Sequence, residues 1–322
     1  MVLQVLVASL LAGMSVSCPD SLCVMFWNLE NFFDAKDGGG GSSDRAFSAK
    51  GERHWTARLY RTKCDAVAKT IIWTGDRTGR APDIVAVAEV ENRKVLADLT
   101  RDTPLRKLDY AVVHYESPDR RGIDVGLLYR KSVFRLARSV PLHISGVVTR
   151  DILLVSLVHQ AGDTLHLLVN HHPSKFGGSA TAWRREAAVA RLRAACDSLW
   201  HAGGKSIILT GDFNDTPENP LFGALTDPPG EPDRISFVNL ALPLSRRGQG
   251  SIRFQGKWEL IDMFFVSPPL ASRSRMEILS PPFLLVWDNV HPGYKPHRTY
   301  SGPRYIGGVS DHLPVLLHLA LW

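Results

Sequence analysis

Short apolar runs, distributed along the whole chain, constrain its fold more than any other feature of the sequence. They are rich in Val, Ile, Leu and Phe and are bounded by polar or turn-forming residues, as buried β-strands are. We predict buried strands at Cys23–Trp27, Ile84–Ala88, Val125–Tyr129, Leu153–Val158, Leu165–Asn170, Ile207–Leu209, Met263–Val266 and Val315–Leu319.

Helical stretches lie between some of these runs. The clearest is Ala182–Trp200, where Val189, Leu192, Cys196 and Leu199 have helical spacing and stand opposite several arginines. A second helix is predicted over Thr56–Trp73. Strands interspersed with helices indicate a single α/β domain, with long loops at Asp34–Gly51, Asp227–Asp233 and Asp288–Gly308.

Composition narrows the class of protein further. Of the 322 residues, 44% are hydrophobic and 22% charged, which excludes a disordered chain, a collagen-like fibre and a small disulfide-dense scaffold. The 38 Lys and Arg against 32 Asp and Glu give a net charge of +6. This excess favours an anionic partner, but it does not distinguish nucleic acid from anionic lipid or a phosphorylated metabolite.

Residues 1–17 are predicted to form a signal peptide. Their apolar segment Val2–Met14 is too short to span a bilayer, and Ser15 and Ser17 suit a cleavage site before Cys18. Since no Lys or Arg precedes that segment, lipidation at Cys18 and an ordinary N-terminal strand or helix stay open as alternatives. We expect an exported protein, periplasmic or extracellular, whose domain covers residues 18–322; a cytoplasmic location is the alternative.

The cysteines are Cys18, Cys23, Cys64 and Cys196, and their spacing fits no zinc pattern. They are interpreted as small buried hydrophobic residues in preference to a disulfide.

Polar residues follow or precede six of the predicted strands. They are Asn28 to Asn31, Glu89 to Asn92, Asn170 to Pro173, Asp212 to Asp215, Asp262, and Ser310 to His312. Open α/β sheets bind ligands where strand ends converge on a crevice. Singly, each cluster has an ordinary explanation, such as an Asx turn, a helix cap or a solvated carboxylate. Their ordered occurrence at strand ends instead favours one shared site.

These residue types suit a hard-metal site for a phosphoric ester. Mg²⁺ prefers oxygen ligands, which Glu30 and Glu89 can supply, whereas Asn28 and Asn214 can bind phosphate or water without adding negative charge. A histidine with a carboxylate behind it can contact a phosphate as an imidazolium. The sequence contains no G-x-S-x-G, P-loop or G-x-G-x-x-G motif.

The chain resembles the endonuclease/exonuclease/phosphatase superfamily, especially bacterial members described as endonucleases. The resemblance covers about Cys23 to Leu319 and rests on MFWNLEN, PDIVAVAEVEN, RRGIDVGLLYR, VNHHPSK, LTGDFNDTPENPLF, WELIDMFFVS and GVSDHLPV. It implies a four-layer α/β/β/α sandwich, in which two packed mixed sheets are flanked by helices.

The resemblance also implies roles for individual residues. Glu89 and Glu30 would hold Mg²⁺, or alternatively Mn²⁺, assisted by Asn28 and Asp311. Asp212 would activate or position the attacking water, Asn214 would hold a phosphate oxygen, and Asp262 would orient His312 beside the phosphate. His172 would be the second phosphate-side histidine, and His171 a structural one. Many members have Gln where this chain has Ala88, which weakens any transfer of substrate class.

Basic residues interleaved with aromatic ones suggest nucleic acid as the substrate. Arg120, Arg121 and Arg253 are the predicted substrate contacts, with a merely solubilising surface as the alternative. A phosphorylated small molecule, an inositol phosphate or a lipid head group would use the same positive field, but no exposed aromatic hairpin is evident to support a lipid. A non-catalytic DNA- or phosphoinositide-binding module is the hypothesis from another class. We expect a monomer with no obligate protein partner.

Overall fold

The computed structural model describes residues 21–175, 177–227 and 234–321. Residues 1–17 and Cys18, with the predicted signal peptide, lie outside the described residues. Numbered in chain order, the strands are β1 (Ser21–Phe32), β2 (Ile84–Val90), β3 (Tyr110–His114), β4 (Asp124–Arg130), β5 (Phe134–Leu142), β6 (Ile152–His159), β7 (Thr164–His171), β8 (Ile207–Asp212), β9 (Val238–Asn239), β10 (Ile252–Phe254), β11 (Lys257–Glu259), β12 (Asp262–Val266), β13 (Ser274–Ile278), β14 (Leu285–Asp288), β15 (Gly293–Pro296), β16 (Tyr300–Ser301), β17 (Arg304–Tyr305) and β18 (Val315–Ala320).

The helices are shorter in total length and lie outside the sheets. They are α1 (Ser42–Ala46), α2 (Ala57–Thr78), α3 (Arg93–Arg101), α4 (Ala182–His201), α5 (Gly223–Thr226), α6 (Leu242–Ser245) and α7 (Pro268–Ala271), with 3₁₀ turns at Pro104–Leu108, Gly178–Thr181, Pro220–Phe222 and Pro282–Leu284. Helix α2 begins after Thr56, whose side chain accepts a hydrogen bond from the Leu59 amide. It ends at Gly79, where φ is +81° and glycine is favoured.

Most strands belong to two mixed six-stranded sheets. Their spatial orders are β13-β18-β1-β2-β4-β3 and β5-β6-β7-β8-β12-β9. Strand β1 shows how the sheets are layered: Val24 and Phe26 belong to the core shared with the second sheet and α4, whereas Met25 and Trp27 pack with α2 and α3. The predicted α/β/β/α sandwich is therefore confirmed.

All eight predicted strands and both predicted helices are present, several of them longer than predicted. Cys23, Cys64 and Cys196 are buried and not disulfide-bonded, as expected. Within the described ranges, no helix is both long and apolar enough to cross a membrane.

Candidate active site

Two neighbouring strands of the first sheet end in irregular backbone that presents carboxylates. The pairing of β1 with β2 shifts register between Asn28 and Phe32, and that of β2 with β4 shifts between Ala88 and Val90. At these positions Glu30 has a φ of +46° and Glu89 a φ of +60°. Left-handed backbone is uncommon outside glycine, and residues held in it cluster at functional sites.

Asp212, at the end of β8, is the buried acceptor at the centre of the site. Its Oδ2 accepts a hydrogen bond from the side-chain Nδ2 of Asn28 at 3.0 Å, and its Oδ1 accepts one from the backbone amide of Asn214 at 2.8 Å. Burial raises the pKa of Asp212 to about 7. A carboxyl group with that pKa can take up a proton near neutral pH.

His312 and Asp262 form the predicted carboxylate–histidine pair. Nδ1 of His312 lies 2.7 Å from Asp262 Oδ2, and its Nε2 lies 3.8 Å from Asp212 Oδ2. Burial opposes a charge on this ring, but the Asp262 carboxylate outweighs burial and raises the pKa of His312 well above its usual range. The ring is therefore an imidazolium at neutral pH, with Nε2 free to donate toward the cleft.

Glu30 and Asp311 converge from β1 and from the segment before β18. Glu30 Oε2 accepts a hydrogen bond from the Thr299 amide at 2.7 Å. The Arg298 guanidinium lies between the two carboxylates, at 3.3 Å from Glu30 Oε1 and 3.1 Å from Asp311 Oδ2. Burial, and secondly the Asp311 charge, raise the pKa of Glu30 to about 7. On this side of the cleft, two carboxylates therefore share one arginine.

Glu89 faces the same cleft from β2. Its Oε2 accepts hydrogen bonds from the Asn31 amide at 2.9 Å and from Arg121 at 3.2 Å. Its Oε1 lies 3.9 Å from Nε2 of His171, beyond hydrogen-bond distance. Among the described residues, that oxygen receives no donor, which leaves it available as a ligand.

The two adjacent histidines have the opposite placements to those predicted. His171 lines the cleft, with Nε2 at 3.6 Å from Asp212 Oδ2. His172 lies behind the site, where its ring packs edge-on against Phe213 and neither ring nitrogen has a hydrogen-bond partner among the described residues. The assignment of His172 to the phosphate was therefore wrong. Successive side chains of an extended chain point to opposite faces, so only one of the two can reach the cleft.

Substituting each histidine in turn tests which of the two faces the cleft. We expect His171→Ala to lower kcat by about 10- to 100-fold, because it removes the polar side chain that lies 3.6 Å from Asp212 in the cleft. His172→Phe keeps the contact with Phe213 and should retain most of the activity. It should also make the protein more resistant to acid, since burial lowers the pKa of His172 to about 3 and protonation below the ordinary value of 6.5 opposes folding. Steady-state kinetics and thermal unfolding against pH measure both effects; a larger kinetic loss in His172→Phe would contradict the assignment.

The predicted basic contacts divide into three cases. Arg121 lines the cleft beside Glu89. Arg120 is exposed and is not one of the lining residues. Arg253 does not line the cleft either, because its guanidinium donates to the backbone carbonyls of Gly256, His291, Pro292 and Tyr294. Arg253 is therefore a structural residue and not the predicted substrate contact.

Sequence reasoning missed two further arginines of the site as well as His171. The cleft has a volume of about 430 Å³, and Arg150 and Arg184 are part of its lining. Arg150 is buried and donates to the backbone carbonyl of His172 and to Asp119, while its Nε has no hydrogen-bond partner among the described residues. Arg298, which pairs with Glu30 and Asp311, also lines the cleft and was not among the predicted contacts. Arg184 lies on a helix and Arg150 and Arg298 lie in loops. In the sequence, such positions do not distinguish an arginine of the site from any other arginine.

The residues present fit a divalent cation. Asp212, Asp262 and His312 have ligand atoms within 4.8 Å of one another, but His312 and Asp262 already satisfy each other as an ion pair. Glu30, Glu89 and Asp311 do not form such a close group, but all three line the cleft and carry the oxygen donors that Mg²⁺ and Mn²⁺ prefer. Asn28 is buried behind them, where its Oδ1 accepts a hydrogen bond from the Glu30 amide at 3.0 Å.

Comparisons with known proteins agree with this geometry. The profile described as "Endonuclease/Exonuclease/phosphatase family" matches residues 23–321. Comparison with curated protein sequences gives no match.

Solved structures of low sequence identity share the fold. An endonuclease/exonuclease/phosphatase family protein from Bacteroides thetaiotaomicron has a TM-score of 0.58 at 16% identity, over 94% of this chain and 98% of that one. D. rerio TDP2, complexed with a single-strand DNA product, has a TM-score of 0.56 at 14% identity, over 93% and 98%. The mannosyl-6-phosphatase of B. thetaiotaomicron has a TM-score of 0.57 at 16% identity, over 92% and 99%. At such identities the likeness shows the fold alone.

Proposed function

Because the chain belongs to the endonuclease/exonuclease/phosphatase family of metal-dependent phosphoric-ester hydrolases, we propose that it hydrolyses phosphodiester bonds of nucleic acid with Mg²⁺. One observation carries the proposal: a buried proton acceptor, Asp212, and an imidazolium, His312, face the same arginine-lined cleft. A non-catalytic binding module would not need this pair.

The reaction begins with in-line attack of water on phosphorus. Asp212 orients the water and accepts its proton, since Asn28 and the Asn214 amide fix both carboxylate oxygens. His312 donates from Nε2 to a phosphoryl oxygen and offsets the charge that develops there. A divalent cation held by Glu89, Glu30 and Asp311 would supply further charge neutralisation.

Arginines on several elements bind the substrate. Arg121, Arg150 and Arg298 approach the cleft from different loops, so a phosphate can be held from more than one side. His171 lies between Asp212 and Glu89, and burial keeps the pKa of this ring well below its ordinary value. A neutral imidazole can donate one hydrogen bond to the leaving oxygen, whose bond to phosphorus breaks as the bond to the attacking water forms. The leaving oxygen then takes a proton from solvent, and Asp212 returns to solvent the proton that it accepted.

A phosphomonoester of a small molecule, such as a phosphorylated sugar, an inositol phosphate or a lipid head group, is the second candidate substrate. It is favoured by the compact cleft of about 430 Å³ and by the similar fold of a protein that bears the name mannosyl-6-phosphatase. Both candidates need the same catalytic residues and differ in what lies beyond the phosphate.

A substrate panel with a matched inactive variant distinguishes these functions. Wild type and Glu89→Gln are assayed on plasmid DNA, single-stranded RNA, bis-(p-nitrophenyl) phosphate, sugar phosphates and inositol phosphates, with Mg²⁺ or with chelator. We expect cleavage of the diesters by the wild type in Mg²⁺ only. For Glu89→Gln we expect the Mg²⁺ concentration that gives half-maximal activity to rise about 10- to 100-fold, because one oxygen donor loses its charge. Full activity in chelator, or of Glu89→Gln at low Mg²⁺, contradicts the metal assignment, and cleavage of monoesters alone favours the second candidate.

A further inference from the structure

Two small hairpins beside the cleft expose large aromatic side chains, contrary to the expectation from sequence that no exposed aromatic hairpin is present. Hairpin β10–β11 exposes Phe254 (58%), and hairpin β14–β15 exposes Trp287 (51%), Val290 (79%) and Tyr294 (59%). Trp287 and Tyr294 are cross-strand neighbours with ring centroids 5.4 Å apart. We call these four residues the aromatic hairpin surface. Single exposed apolar residues are ordinary, but a cluster of them marks an interaction surface.

The two hairpins are fixed to each other by Arg253. Its guanidinium donates to Gly256 of its own hairpin at 3.1 Å, and to His291 at 3.0 Å and Pro292 at 3.1 Å of the other. A Cβ at Gly293 would lie 2.9 Å from this guanidinium, so glycine allows the close approach. The aromatic side chains are thus presented by a braced pair of hairpins, with little ordering left to occur on binding.

Both hairpins lead directly out of the active site. Ser251, just before β10, accepts a hydrogen bond from the Leu313 amide at 2.7 Å, next to His312. Tyr294 precedes Arg298 of the cleft by four residues. Since an extended chain advances at most about 3.6 Å per residue, Phe254 lies within about 11 Å of Ser251, and Tyr294 within about 14 Å of Arg298. A stacked nucleic-acid strand, rising about 3.4 Å per nucleotide, covers such distances in about four nucleotides.

The neighbouring residues favour a nucleic-acid strand over a membrane. Lys257 and His291 are exposed, and Lys295 lies 3.2 Å from Asp288. The turns carry exposed polar side chains, Gln255 and Asn289, which would resist burial in hydrocarbon. Flat aromatic rings beside the exposed Lys257 and these polar groups instead suit base stacking along a phosphate backbone.

We propose that the aromatic hairpin surface binds unpaired bases of a nucleic-acid strand whose scissile phosphate occupies the cleft. The proposal rests on the proposed function and makes it more specific: the enzyme selects single-stranded or frayed nucleic acid. Arg253 is then a positioning residue, because it aligns the rings without touching the strand.

Binding without cleavage tests the proposal directly. The Kd of a fluorescently labelled single-stranded DNA 12-mer is measured by anisotropy in chelator, for wild type, Trp287→Ala, Tyr294→Ala and Phe254→Ala. Loss of a stacked base on alanine substitution corresponds to about 5- to 100-fold weaker binding. Trp287→Phe and Tyr294→Phe keep an aromatic ring and should restore most of the affinity. Val238→Ala, at an exposed site on β9 at the edge of the second six-stranded sheet, is the control.

Further measurements separate this proposal from the proposed function and from lipid binding. In Mg²⁺, the alanine variants should lose more kcat/KM on the 12-mer than on bis-(p-nitrophenyl) phosphate, which cannot reach the hairpins. If the wild type cleaves DNA and the alanine variants bind and cleave the 12-mer equally well, the hairpin proposal is wrong although the function stands. If the wild type cleaves the small diester but neither binds nor cleaves nucleic acid, the proposed function fails first. Variants that lose binding to anionic phosphatidylserine vesicles but not to the 12-mer would overturn the proposal in favour of a membrane surface.

Discussion

Asp262→Asn is expected to lower kcat by about three to four orders of magnitude, with the fold intact. Asp262 Oδ2 lies 2.7 Å from His312 Nδ1, and its charge holds the pKa of His312 well above the usual range. Asparagine has nearly the same shape, but it is uncharged and its amide nitrogen cannot accept the Nδ1 proton. The ring then loses both its charge and its correct tautomer at neutral pH.

The pH dependence makes this prediction specific. In the wild type, the Asp262 carboxylate holds the pKa of His312 well above its usual range, so deprotonation of this ring does not limit activity near neutrality. Without Asp262 the pKa of His312 falls. As the pH is raised, the remaining activity should therefore begin to decline at a lower pH than it does in the wild type. Asp197→Asn, which removes a carboxylate paired with Arg193 on helix α4, is the control. A kcat for Asp262→Asn within about tenfold of the wild type would mean that His312 does not act as an imidazolium.

The sequence predicts the centre of this fold well and its edges poorly. Central strands such as β2 and β8 are buried on both faces and read as continuous apolar runs. Strand β5 was not predicted, because it lies at a sheet edge and most of its residues are only half-buried or exposed. Its sequence FRLARSVPL contains arginines and a proline and has no apolar run. Edge strands commonly carry such residues.

The same contrast holds for the candidate site. Asp212 and Glu89 could be found because each lies at or just beyond the end of an apolar run, and strand ends converge in this class of fold. Arg298 lies in a loop whose path depends on tertiary packing, so its contact with Glu30 was not predictable from spacing. His171 and His172 are adjacent, and sequence alone does not say which face of β7 looks into the cleft.

Asp212 is the second residue whose substitution should strongly lower the catalytic rate, because of the contacts that its carboxylate makes. It is the last residue of β8 and is buried, and its carboxylate accepts hydrogen bonds from Asn28 Nδ2 at 3.0 Å and from the backbone amide of Asn214 at 2.8 Å. Asn28 and Asn214 both donate to it, so the carboxylate is oriented as an acceptor before any water arrives. Orientation of this kind gives a base its effect without reorganisation during the reaction.

Asp212→Asn is therefore expected to lower kcat by about two to four orders of magnitude. The amide cannot take up a proton, whereas the substitution preserves volume and the hydrogen bond to the Asn214 amide. The wild-type rate should rise with pH up to about 7 or below, because burial raises the pKa of Asp212 to about 7 and a bound cation would lower it again. In Asp212→Asn this acidic limb of the pH–rate profile should be missing.

A pH–rate profile of both proteins on the small diester decides whether Asp212 is the base. Asp227→Asn, at the end of α5, controls for the loss of one carboxylate elsewhere. Retention of the acidic limb in Asp212→Asn would assign it to another group, and the buried carboxyl of Glu30, whose pKa is also raised to about 7, would be the next to examine. Loss of rate together with the limb would instead assign proton transfer to Asp212, since a residue that only shaped the cleft would lower kcat equally at every pH.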